Sequence, residues 1–319
     1  MVGFPRSGTT LLRAMLHGHP EIVILPEPRW LVSLLKAHTR SPLGPVQATR
    51  WLHERVHPDW YALAEMSPAD VAPQLPDRAV SAPELVDAIG RTYALRSGKP
   101  RWGLKNPGAD FRRALPLVRD SFPGASFVFL ARDPRDVYLS QVGAGWRSGN
   151  DDLELFCLLW GIQARRMLRD LAPAGTRMLV LRYEDLVEDP ERSLRELCRV
   201  ANLADSPAAL HEMLAFSGRL QGRVTDNPIH GNLAGPVLAA NRRKFETKLP
   251  PDRIRRAAVA AGPALTGLGY PREGAAGRIE EWRERLEVVL GAGRRLLLHV
   301  PAALRGRGTL SGVRRKVAG

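Results

Sequence analysis

"GFPRSGTT", residues 3–10, decides how the rest of this 319-residue chain is read. It fits the frame of a phosphate-binding loop, G-x-x-x-x-G-K-[ST], at every position but one, because Thr9 occupies the lysine slot. The cation has moved inside the loop to Arg6, which sets a guanidinium beside whatever anion the backbone N–H groups hold. Gly3 and Gly8 let the backbone turn tightly and come close to that anion. The N–H groups from Ser7 through Gly8 and Thr9 to Thr10 open the next helix, whose positive end favours negative charge. The hydroxyls of Ser7, Thr9 and Thr10 add neutral donors. An ordinary strand–turn–helix would account for the hydroxyls as caps, but not for an arginine and two glycines together.

Outward from this loop, apolar runs bounded by turn residues predict strands at 2–4, 21–25, 101–105, 126–131 and 177–182. Helical stretches are predicted at 8–18, 29–38, 83–97, 108–121, 134–147 and 153–171, with later ones at 190–201, 206–217 and 252–266. Strands that alternate with helices imply an α/β fold of the P-loop type: a three-layer sandwich with a central, mostly parallel sheet flanked by helices. Ligands of such sheets sit at the carboxyl ends of the strands. "FPRSGTT", "PEPR", "KNP" and "RDPRD" each follow a predicted strand, so four distant segments should share one crevice.

The domain should end near "LTGLGYP", giving a catalytic domain over 1–271 and a basic helical appendage over 272–319. That appendage carries eleven Lys or Arg against five Glu, six of the fourteen net positive charges. Ile279, Trp282, Leu286, Val289 and Leu290 recur there at helical spacing, which suits a helix packed on its own domain or, as a second reading, peripheral contact with a membrane. The net charge of +14 suits an acidic ligand, a nucleic acid or an anionic surface, and does not choose among them. Cys157 and Cys198 show no C-x-x-C spacing and read as two buried thiols of a reducing compartment. With no apolar run of membrane-spanning length and no leader pattern, the expectation is a cytoplasmic protein. The first strand is short for a phosphate loop, which suggests that the natural chain begins further upstream.

A P-loop NTPase would hold Mg²⁺ through the hydroxyl after the lysine and an aspartate at a strand end. Here the strand "SFVFLA" runs first into Arg132, with Asp133 behind it, and a strand-end arginine invites a second phosphate. Ser140 lies eight residues on, a little over two helical turns, so its hydroxyl can join Arg132 around one anion. The plainer role for Arg132 is a salt bridge to Asp133 or Asp136.

"PRSGTT", "ARDPRDVYLS" and "LRYEDLVEDP" in this order resemble the sulfotransferases that use 3'-phosphoadenosine 5'-phosphosulfate (PAPS), over residues 3 to about 271. By that resemblance Arg6, Ser7, Gly8, Thr9 and Thr10 hold the 5'-phosphosulfate, Arg132 and Ser140 hold the 3'-phosphate, and Tyr183 lies near the adenine. Arg243 and Lys244 in "NRRKFETKLP", with Arg223 before them, would belong to a loop closing over the 3'-phosphate. "RSGTTLLRAMLHGHPEIVILPEPR" is similar to the tyrosylprotein branch and its bacterial relatives, which place a glutamate base 21 residues after the loop arginine; from Arg6 that count lands on Glu27. Lys105 matches the catalytic lysine of that branch. The chemistry agrees: sulfuryl transfer needs a base for the acceptor's proton and cations for charge on the leaving oxygen, roles open to Glu27, Lys105 and Arg6 without a metal. For Glu27 and Lys105 the plainer roles are a helix N-terminal acid ahead of Pro28 and a strand-end surface lysine.

The acceptor would be a small molecule, glycan, lipid or phenol bearing a hydroxyl, in a pocket shaped by residues 36–100 and 141–175, which contain Trp51, Trp60, Tyr61, Trp146 and Trp160. Three other classes compete. A nucleotide-dependent kinase with a degenerate loop would bind ATP with Mg²⁺. A non-catalytic polyanion binder would suit the charge, but aromatic content is only 6% and the basic residues lack aromatic interleaving, which argues against nucleic acid. His53, Glu54 and His57 spell H-E-x-x-H, a zinc pattern, with Glu65 or Glu84 as a third ligand, but Pro58 disfavours helix at the second histidine.

Overall fold

Runs of Val, Ile, Leu and Phe that are buried on both faces become parallel strands under helices. In the computed structural model, which describes residues 1–147, 152–173, 175–217, 241–272 and 290, the strands are β1 (Val2–Gly3), β2 (Ile22–Leu25), β3 (Arg101–Leu104), β4 (Ser126–Ala131) and β5 (Arg177–Arg182), of which β1, β2 and β4 are such runs, β3 is half-buried and β5 alternates. All pairings are parallel: β1-β4-β5 in one ladder, β2-β3 in another. Two backbone bonds at Met1 stitch the ladders together, its N–H donating to the Leu104 carbonyl at 2.8 Å and its carbonyl accepting from Asn106 at 3.1 Å. The loops after β1, β2, β3 and β4 therefore open on the same edge.

The helices in chain order are α1 (Thr9–Gly18), α2 (Leu31–His38), α3 (Pro45–Arg55), α4 (Pro58–Ala64), α5 (Pro68–Val71), α6 (Ala82–Arg96), α7 (Ala109–Arg113), α8 (Leu115–Ser121), α9 (Pro134–Gly143) and α10 (Leu153–Leu171). They continue as α11 (Tyr183–Glu188), α12 (Pro190–Ala201), α13 (Pro207–Ser217), α14 (Phe245–Lys248), α15 (Pro251–Ala261) and α16 (Pro263–Gly267). One core layer joins Leu12 and Met15 of α1 to Ile24, Val128, Leu130 and Leu181 of the sheet and to Leu194, Leu197 and Met213 of α12 and α13. The predicted α/β architecture is the observed one.

Three predicted helices differ. The span 108–121 breaks at Ala114, which leaves helical geometry (φ −97°, ψ 10°). The span 134–147 ends at Gly143. The span 252–266 is interrupted at Gly262, whose φ of 65° only glycine adopts freely. Helices α3 to α5 were not anticipated because each begins on a proline, which punctuates a sequence yet suits the first helical position, where its missing N–H has no partner to lose.

The chain divides into two compact units, residues 1–149 with 163–245, and residues 150–162 with 246–319. Within the second, Trp160 meets Tyr270 edge-on. Cys157 and Cys198 are buried and form no disulfide. Residues 273–289, 291–319 and Arg223 lie outside the described residues, and with them all but Leu290 of the amphipathic stretch. No described helix is long and apolar enough to cross a membrane.

Candidate active site

The loop begins with a reverse turn in which Ser7 N–H donates to the Phe4 carbonyl at 3.1 Å. Pro5 pre-sets its first corner, and Arg6 takes the second with φ 73°, a left-handed position that usually falls to glycine or asparagine. A non-glycine residue held there costs about 1–2 kcal/mol, and such strain persists where the surroundings impose it. Two do so here: Arg132 donates to the Arg6 carbonyl at 3.0 Å and Gln141 to the Pro5 carbonyl at 3.3 Å. Gly8 then starts α1 with φ 89°. Its first N–H groups have no partner within the helix, and the Ser7 hydroxyl is fully buried with no hydrogen-bond partner. Such an orphaned donor in a loop of this shape fits an anionic ligand.

Arg132 leaves the end of β4 at 4% exposure. Its guanidinium lies 4.2 Å over the Tyr183 ring, and it also donates to the Asn241 carbonyl at 2.8 Å. Its Nε has no partner, and Asp136 stays 3.9 Å away, so the salt bridge read from sequence is a loose one. Ser140 is not paired with Arg132 directly; its hydroxyl accepts from Arg6 Nε at 3.2 Å, while the Arg6 guanidinium lies over the Trp146 ring. Burial, and then the nearby Arg132 charge, lower the Arg6 pKa below its ordinary value. Arg6, Arg132 and Ser140 thus form one chain of contacts, with the arginine of the loop as its middle link.

Tyr183 opens α11 and packs its ring under the loop, while its hydroxyl accepts from Asn241 at 2.9 Å. A Cβ on Gly8 would stand 2.3 Å from that ring. Gly8→Ala therefore meets both backbone strain and a clash, and should cost about 3 kcal/mol or more of stability. A fall in thermal midpoint that Tyr183→Ala in the same chain partly reverses would check this. Arg243 and Lys244 sit beside this group: Asp136 accepts from the backbone N–H groups of Phe245, at 3.1 Å, and Arg243.

Lys105 stands one residue beyond β3, 8% exposed at its side chain. Its ammonium is 2.5 Å from Glu27, in the loop after β2, and donates to the Thr10 hydroxyl of α1 at 3.1 Å. Burial lowers the lysine's pKa, and the Glu27 charge opposes that fall. Asn106 holds the two loops together, donating to the Pro28 carbonyl at 3.3 Å and accepting from Gly108 at 2.9 Å. A lysine, a carboxylate and the phosphate loop thus converge.

From Lys105 and Glu27 an open cleft of about 1840 Å³ extends along α1, walled by Trp30, Trp51 and Trp60. Of the aromatics expected there, Trp51 and Trp60 do line it. Tyr61 instead donates its hydroxyl to the Leu52 carbonyl at 3.0 Å, Trp160 is buried, and Trp146 lies against Arg6. The H-E-x-x-H residues are not on one helix: α3 stops at Arg55, Val56 is extended, and His57 caps α4. Glu54 is paired with Arg50 at 2.6 Å and Glu84 with Arg78 at 2.7 Å.

Residues 1–207 match the sulfotransferase family. The chain belongs to that family. The sulfotransferase is 30% identical over 277 residues to "Protein-tyrosine sulfotransferase 1" of Danio rerio, covering 84% of this chain and 70% of that one. It is also 30% identical over 278 residues to the protein of the same name from Homo sapiens, covering 84% and 68%. Its fold is shared with "Sulfotransferase Domain from the Curacin Biosynthetic Pathway", at a TM-score of 0.57 and 20% identity, over 85% of this chain and 96% of that chain. The sulfotransferase is accordingly a sulfuryl-transferring enzyme. The roles of three of its site neighbours escape sequence reasoning, although "KNP" already places Asn106 at the crevice. Arg13 could have been found, since it lies one turn from Thr10 on α1. Asn106 and Asn241 act through loop contacts that leave no periodic signal.

Proposed function

We propose that this sulfotransferase takes its sulfuryl group from PAPS and passes it to the hydroxyl of a small molecule, glycan, lipid or phenol, leaving adenosine 3',5'-bisphosphate. The observation that carries the reading is the Glu27–Lys105 contact of 2.5 Å, made where Lys105 also touches Thr10 of the phosphate loop. A base and a cation within reach of one anion site are what the transfer requires. PAPS supplies an activated sulfuryl group on a phosphate leaving group, and the rest falls to side chains. Glu27 takes the proton of the acceptor hydroxyl as its oxygen attacks. Lys105, released from Glu27, faces the negative charge that gathers on the leaving phosphate. Loop N–H groups and the hydroxyls of Ser7, Thr9 and Thr10 orient the 5' end, and Arg6 adds charge beside it.

Arg132 and Ser140, with Arg243 and Lys244 beside them, are the residues proposed for the 3'-phosphate. The buried and unpartnered Nε of Arg132 supports that assignment. Tyr183 is proposed to border the adenine. Thermal denaturation of the purified chain tests the donor class. Adenosine 3',5'-bisphosphate without metal at 100 times its Kd should add about 2.7 kcal/mol of stability. Stabilisation by Mg-ATP alone would overturn the reading in favour of a kinase.

A further inference from the structure

Beyond Lys105 the cleft holds a cation that neither the proposed base nor the donor needs. Thr10, Arg13 and His17 fall at i, i+3 and i+7 on α1, so one stripe of the helix lines the cleft, starting at the hydroxyl that Lys105 touches. Arg13 is half-buried, and its Nε is anchored on the Ile24 carbonyl at 3.0 Å. Its two terminal nitrogens make no hydrogen bond and meet no carboxylate among the described residues. The guanidinium is close enough to both Lys105 and His17 for its charge to lower the pKa of each.

Three carboxylates share the cleft, Glu27, Asp59 and Glu65, and none of them is ion-paired with Arg13. Glu27 is held by Lys105, and Asp59 lies 3.4 Å from His57. Arg29 and Arg55 line the same cleft, and neither forms an ion pair with a described residue. His17 adds no charge of its own at neutral pH, because burial, helped by Arg13 and Lys99, lowers it to about 4. Three tryptophans line the cleft as well: Trp51 and Trp60 meet Trp30 edge-on at 5.6 and 5.5 Å. Trp30 is more than nine-tenths buried, and its indole N–H has no acceptor. A half-buried arginine fixed at one nitrogen and open at two is built for bidentate capture of an anionic group.

We propose that Arg13 is an acceptor-binding residue and that the acceptor is a compact hydroxylated anion. It carries a ring that lies on the tryptophan wall and a carboxylate or sulfate ester that Arg13 grips. Arg13 lies three positions after Thr10 along the helix, a rise of about 4.5 Å, so the anion and the accepting hydroxyl belong to one ring or two adjoining ones. This inference rests on the sulfuryl-transfer site proposed above.

The test is calorimetric titration of matched pairs with and without saturating adenosine 3',5'-bisphosphate: 4-hydroxyphenylacetate against its amide, 4-hydroxyphenyl sulfate against hydroquinone, and methyl glucuronide against methyl glucoside. In the wild type at least one charged member should bind about tenfold or more tightly than its neutral partner. The pair with the largest difference identifies the anion. Arg13→Gln should remove the difference without weakening the neutral compound, and Arg13→Lys should restore part of it. Equal affinities throughout in the wild type, absence of binding by every charged member, or a preference that survives Arg13→Gln would each overturn the proposal. The wild-type comparison decides even if a variant fails to fold. Failure of the bisphosphate itself to bind counts against the donor reading, whereas bisphosphate binding without a charge preference counts against Arg13 alone.

Discussion

Glu27→Gln should lower turnover by about 10²–10⁴-fold, the usual worth of a positioned general base, while leaving the affinity for adenosine 3',5'-bisphosphate within about threefold of the parent. The substitution keeps the shape of the side chain and its capacity to accept a hydrogen bond from Lys105. It removes the one charge that opposes the effect of burial on that lysine, so the lysine's pKa should fall further. Because Glu27 is 37% exposed, the stability cost should stay near about 1 kcal/mol. Single-turnover transfer from labelled PAPS, alongside bisphosphate titration, separates the two effects. Normal turnover in this variant would show that Glu27 is a loop acid and not the base.

Arg132→Ala should act on binding and on folding together. Arg132 is 4% exposed, donates to two backbone carbonyls and covers the Tyr183 ring, so its removal leaves the Arg6 and Asn241 carbonyls without a buried donor. Each orphaned carbonyl costs about 1–3 kcal/mol, which predicts a loss of about 2–6 kcal/mol in stability. The affinity for adenosine 3',5'-bisphosphate should fall about 100-fold, and that for adenosine 5'-monophosphate much less. Arg132→Lys should not rescue either effect, since an ammonium cannot span two carbonyls while stacking on a ring. If the variant still distinguished the two nucleotides as the parent does, the 3'-phosphate would have to be read elsewhere.

The strands are legible in the sequence because each is a short run rich in apolar residues and closed by turn residues; β1, β2 and β4 are buried on both faces, while β3 is half-buried and β5 alternates. The proline-led helices α3 to α5 are not, because proline marks both loops and helix starts. At the site, counting along the chain brings Glu27 and Lys105 to the loop, since strand ends share one edge of a parallel sheet. The partner of Ser140 is different. Spacing along α9 lets it join Arg132 around one anion, whereas the left-handed turn at Arg6 swings the loop arginine across to it. A dihedral that only surrounding structure enforces leaves no mark on the order of residues.

The hydrogen bonds that assemble the site join residues far apart in the chain: Arg6 to Ser140 across 134 positions, Arg132 to Arg6 across 126, and Lys105 to Thr10 across 95. Closing such long loops is entropically slow, and contacts of this span are repaid only after most of the sheet has formed. On dilution from denaturant, secondary structure should therefore return before nucleotide binding. The recovery of catalysis would then time the final stage of folding.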